Sequence, residues 1–111
     1  MGRVYEKLVR DRIPEIIESG GEIPLVRTLG EEEYVRQLDI KLREELEEYL
    51  EDGSMEEMAD LMEVARAIIA AKGSSWEEVE RLRKAKAEKN GAFEKQIYLI
   101  GVEKAGEQDE I

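Results

Sequence analysis

The chain has no cysteine and no histidine in 111 residues. Without Cys there can be no disulfide and no thiolate zinc site. Without His there is no imidazole ligand for a softer metal and no imidazole to serve as a base. Long apolar runs are also missing. The longest, around Val64 to Ala71, contains Arg66 and is too short to span a bilayer. The opening Met-Gly-Arg-Val-Tyr-Glu-Lys lacks the apolar core of a signal peptide, and Gly2 is not followed by the Ser or Thr of a myristoylation signal. A cytoplasmic location is the expectation by elimination. Asn is nearly absent too: Asn90 is the only one, which together with a Glu/Lys/Arg-dominated charge leans towards a thermophile source.

Acidic charge is plentiful. The formal net charge is -11, and 41% of residues are charged, against 41% hydrophobic. Such a chain is apolar enough to fold and too acidic to favour a bare nucleic-acid backbone or an anionic membrane. A small phosphorylated ligand stays open, because a bound cation inverts local charge. The length suits a single domain, 1–111, with no internal repeat or linker.

Local signals predict an all-α fold. Lys7 to Pro14 reads as extended, with Pro14 in the first turn of a short helix, Glu15 to Ser19, that Gly20-Gly21 ends. Ile23 to Leu29 is a loop or short strand. A long helix is expected from Glu31 to Glu51, with Val35, Leu38, Leu42, Leu46, Tyr49 and Leu50 as its apolar stripe. Gly53 breaks it, and Ser54 with Glu57 has the spacing of a capping box. The next helix, to about Lys72, carries Met58, Leu61, Met62, Val64, Ala65, Ile68 and Ile69. Ser75 with Glu78 opens a third long helix, which Gly91 would end. Gln96 to Val102 reads as a short β element or an extended arm, and 103–111 as a mobile acidic tail. The break at Gly53 is short enough to make its two flanking helices antiparallel neighbours. The Met55, Met58, Met62 set and Trp76 are expected in the core.

Carboxylates interrupt this pattern. At about 100° per residue, Glu45 and Glu57 fall inside the apolar stripes of the two facing helices, with Glu48 and Asp60 at their edges. Mirrored about the break, Glu48 lies level with Glu57 and Glu45 with Asp60. Unpaired inward charges cost several kcal/mol each in desolvation, and a hard divalent cation relieves that cost. Mg2+, for which Mn2+ commonly substitutes, prefers oxygen ligands and shares them with substrate phosphates. The spacing alone is weak, since Glu-x-x-Glu recurs at Glu15/Glu18, Glu77/Glu80 and Glu107/Glu110. A solvated acidic rim, with Glu57 a capping residue and Glu48 a partner of Lys41, explains the same residues. Among the cations, Arg83 and Lys86 fall near the Trp76, Val79 and Leu82 face, where they would suit polyphosphate oxygens or simply pair with surface acids. Lys7, Arg10 and Arg12 precede the first helix.

The run Glu44-Glu45-Leu-Glu-Glu48 followed by Glu57-Met-Ala-Asp60 resembles the acidic signature of the all-α nucleoside triphosphate pyrophosphohydrolases, which include MazG-like proteins and phosphoribosyl-ATP pyrophosphohydrolase. The flanks Lys7-Leu-Val-Arg-Asp-Arg-Ile-Pro-Glu-Ile-Ile17 and Lys89-Asn-Gly-Ala-Phe-Glu-Lys-Gln-Ile97 resemble a small single-domain branch of that group, usually described as house-cleaning pyrophosphatases. The segment between Glu48 and Glu57 is shorter than the group's, and Asn90 and Ala92 stand where Arg and Gly are expected. The resemblance implies a helical bundle that assembles as a homodimer or higher homo-oligomer. It implies Mg2+ held by Glu45, Glu48, Glu57 and Asp60, with Glu44 a ligand or an orienter of water. It places phosphate contacts at Lys86 and Lys89, with Arg10 and Arg12 as weaker candidates. The implied reaction is hydrolysis of a nucleoside triphosphate to the monophosphate and pyrophosphate, and the most inward carboxylate, Glu45, is the candidate base. Phosphoribosyl-ATP as substrate, and a non-catalytic nucleotide-binding or interaction module, are the alternatives.

Overall fold

The computed structural model of the protein describes residues 2–105. Among them the fold is all-α, with helices α1 (Ile13–Ser19), α2 (Glu31–Asp52), α3 (Met55–Ala71) and α4 (Trp76–Asn90). The chain divides into two compact units, 1–79 and 80–111. The first holds α1, α2, α3 and the start of α4; the second holds the rest of α4 and the segment after it.

The helix ends are set by local chemistry. Pro14 lies in the first turn of α1, where its fixed φ suits a helix and its missing N–H is no loss. Gly21 (φ +85°) reverses the chain after α1. Glu31, Glu32 and Glu33 crowd the first turn of α2, where the helix dipole favours negative charge. Gly53 (φ +71°) ends α2, donating its N–H to the Tyr49 carbonyl at 2.7 Å. Ser54 then caps α3, its Oγ accepting the Glu57 N–H at 3.3 Å. Only Gly53 and Ser54 separate α2 from α3, so α3 folds straight back along α2 and the two pack together. Ser75 Oγ caps α4 by accepting the Glu78 N–H at 3.1 Å, and Gly91 (φ +86°) follows its last turn.

The core of the first unit is narrow. Leu38 and Val64 are buried from α2 and α3, and Glu45 is buried between them in sequence. Most of the two expected apolar stripes stays half-covered or open. Leu50 is 71% exposed and Met55 67%, and Leu46 and Met62 are also exposed. The expected core placement of Met55 and Met62 is therefore corrected. An amphipathic stripe spans more than 100° of a helix, and one neighbouring helix covers only the strip that faces it.

No strand occurs among the described residues. Of the alternatives expected, Ile23 to Leu29 takes the loop rather than the strand, and Gln96 to Val102 forms no β element. Both segments lack a partner ladder for their N–H and C=O groups, and Ile97, Tyr98, Leu99, Ile100 and Val102 are all exposed. The expected tail, 103–111, falls mostly outside the described residues. No described helix is long and apolar enough to cross a membrane.

Candidate metal centre

The hairpin brings three carboxylates together. Glu45 from α2 and Glu57 and Asp60 from α3 each offer an oxygen within 4.8 Å of the others. Their positions follow from the break. Glu57 is one turn into α3 from the Ser54 cap, and Asp60 lies a turn further along the same face. Glu45 sits two turns before Gly53 on the facing side of α2. Glu48 belongs to the rim: it is exposed and lies outside the group of three.

Glu45 is only 6% exposed. Its Oε1 lies 3.3 Å from Lys41 Nζ, and its Oε2 is buried without a hydrogen-bond partner. Glu57 Oε2 is likewise buried and unpartnered. The Ser54–Glu57 capping interaction is made by the Glu57 backbone, and the Glu57 carboxyl joins the cluster. Burial pushes the Glu45 carboxyl above its ordinary range, with Lys41 opposing and Glu48 adding to the rise. Burial also raises Glu57, and the charges of Glu48, Asp60, Asp52 and Glu45 raise it further. Both shifts say that the pocket disfavours the negative charges it contains.

Among the described residues, Lys41 and Arg10 pair with the group. Lys41, one turn before Glu45 on α2, bridges Glu44 (3.5 Å) and Glu45 (3.3 Å). The sequence had suggested Lys41 as a partner for Glu48, seven residues on, but its i+3 and i+4 neighbours are closer on a helix. Arg10 reaches in from the segment before α1 and donates from Nη2 to Asp60 Oδ1 at 2.7 Å. This contact joins residues 50 apart in the chain, and no local pattern announces it.

The cluster fits a hard divalent cation. It is built of carboxylates alone, contributed by two helices, and two of these carboxylates, Glu45 and Glu57, each have a buried oxygen with nothing to accept from. Glu45, Glu57 and Asp60 would be the residues to hold such a cation, each through a carboxylate oxygen.

Arg12 Nε pairs with Glu15 at 3.4 Å. Within the second unit Arg83 forks onto Glu80, its Nε at 2.9 and 3.0 Å from the two oxygens, and Lys86 and Lys89 are exposed. Trp76 is half-buried beside a shallow groove with Ala59, Met62, Glu63 and Arg66, and the Arg66 guanidinium lies 5.7 Å from its ring centre. On α3 that groove is on the side away from Glu57 and Asp60, since residues 59, 62, 63 and 66 form a separate face.

No family model matches the chain, and no solved structure matches it. A Mycolicibacterium smegmatis (strain ATCC 700084 / mc(2)155) protein, itself described as uncharacterized, is 55% identical over 42 residues. That stretch is 38% of this chain and 43% of the relative, so the similarity spans less than half of either protein.

Proposed function

We propose that the protein is a Mg2+-dependent pyrophosphohydrolase acting on a nucleoside triphosphate or a related small phosphorylated substrate, with Glu45, Glu57 and Asp60 holding the cation and Glu48 at its rim. The observation that carries this reading is the pair of buried, unpartnered oxygens, Glu45 Oε2 and Glu57 Oε2, in a group that also includes Asp60. The resemblance of Glu44-Glu45-x-x-Glu48 … Glu57-x-x-Asp60 to the pyrophosphohydrolase signature supports the substrate class and the bond cleaved.

A divalent cation there supplies positive charge to phosphate oxygens and acidifies water. The protein's own groups supply the rest. Glu45, the most buried carboxylate of the group, is the candidate to take a proton from the attacking water. Glu44, paired with Lys41, is the candidate to orient that water. Exposed apolar side chains along the hairpin, Leu46 and Leu50 among them, support assembly with a second copy.

A non-catalytic reading has one specific observation in its favour: Lys41 and Arg10 already supply two positive charges to the acidic group. A product assay separates the two. Purified protein is incubated with standard and modified nucleoside triphosphates and with phosphoribosyl-ATP, in Mg2+ and then in EDTA. The expected products are a monophosphate and pyrophosphate, lost on chelation. Absence of turnover across the panel would leave the non-catalytic module standing.

A further inference from the structure

We propose that Arg10 is a resident counter-cation of the acidic centre, competing with the divalent cation for Asp60 and giving it up when the site loads. The inference rests on the reading of Glu45, Glu57 and Asp60 as a metal centre. The two cations that touch the group are attached differently. Lys41 is carried by α2 itself and its side chain is only 20% exposed, so it forms part of the wall around Glu45. Arg10 comes from outside the hairpin, in the turn whose carbonyl at Arg10 accepts the Ile13 N–H at 3.1 Å to open α1. Its side chain is 58% exposed and that of Asp60 42%. A pair so accessible to water contributes little stability and is readily exchanged. The same contact places a guanidinium on one oxygen of a three-carboxylate group, where its charge opposes an incoming cation. Holding Asp60 by Arg10 and by a divalent cation are therefore mutually unfavourable states. Exchange between them would tie the position of the segment before α1 to the loading of the site.

The test is a cycle of Mn2+ affinities on the full chain without nucleotide, read from the paramagnetic resonance of free Mn2+. Arg10→Gln is expected to bind Mn2+ about two- to fivefold more tightly than the wild type, the range set by an exposed ion pair. Arg12→Gln removes the same charge two residues away, from a side chain paired with Glu15, and is expected to leave the affinity unchanged. In an Asp60→Asn background the Arg10→Gln gain should vanish, because the carboxylate the two cations compete for is gone. Equal tightening by Arg10→Gln and Arg12→Gln, or a gain that persists without Asp60, would show a bulk charge effect and overturn the proposal. Unchanged or weaker binding in Arg10→Gln alongside Glu45-dependent binding in the wild type would overturn it while leaving the metal centre intact. A wild type without any Glu45-dependent Mn2+ site would remove the metal reading and this proposal together.

Discussion

Burying a carboxylate with one oxygen unpartnered costs more than the 1–3 kcal/mol typical of a neutral group. Glu45 is in that position on the hairpin face. Replacing it with Gln keeps the shape and removes the charge that burial disfavours. In calorimetry without metal, Glu45→Gln is expected to melt at or above the wild-type temperature, by up to about 5 °C. In the product assay the same variant should lose at least about a hundredfold in turnover. A lower melting temperature would mean that the Lys41–Glu45 pair outweighs the burial cost. The titration of Glu45 and Glu57 makes a second prediction. Both hold their protons more tightly in the folded chain than in the unfolded one. Between the ordinary carboxylate range and their raised values the folded state binds more protons, so their contribution to stability falls as pH rises through that interval. Thermal melts from pH 4 to 8 without metal should show a loss with rising pH that is smaller in a Glu45→Gln/Glu57→Gln double variant. The overall charge of -11 adds a similar trend of its own, which is why the comparison with the double variant carries the result.

The α2–α3 hairpin converts sequence spacing into a site, and its break is two residues long. Gly53 adopts φ +71° with open space where a Cβ would stand, so Gly53→Ala meets only the conformational penalty, about 1 kcal/mol. Ser54→Ala removes the α3 cap at a similar cost of about 1 kcal/mol. Each is expected to lower the melting temperature by about 5 °C. Features of this kind were legible in the sequence because they depend on neighbours: Ser54 and Ser75 cap the helices their spacing announced, and Gly53 and Gly91 stand at helix ends. The phase of Glu45 and Glu57 within apolar stripes was legible for the same reason. The Arg10–Asp60 contact was not, because nothing local links residues 50 apart. The run Gln96 to Val102 allows a strand or an extended arm, and it forms no strand. An apolar run licenses a strand only where another strand completes the ladder, and the local sequence says nothing about that partner.

On the scale of the whole molecule, the charge and the open apolar surface point in different directions. A charge of -11 keeps copies apart, yet Ile40, Leu46, Leu50, Met55 and Met62 of the hairpin are all exposed. Such side chains gain about 1.5–3 kcal/mol each when fully buried, so self-association is expected to overcome the repulsion. Sedimentation at physiological salt should give a species of at least twice the 12.8 kDa chain mass. Leu46→Gln with Leu50→Gln should raise its dissociation constant at least about tenfold. A wild type that sediments as a monomer at all accessible concentrations would refute the assembly.

Calorimetric titration of Mn2+ into the metal-free protein decides whether Glu45, Glu57 and Asp60 hold a divalent cation. Wild type is expected to show saturable binding that weakens at least about tenfold in Glu45→Gln and in Glu57→Gln. It should be unchanged in Glu47→Gln, an exposed carboxylate on the same helix outside the cluster. Binding that is weak, unsaturable and equal in all four proteins would contradict the claim and leave the cluster an acidic surface neutralised by Lys41 and Arg10.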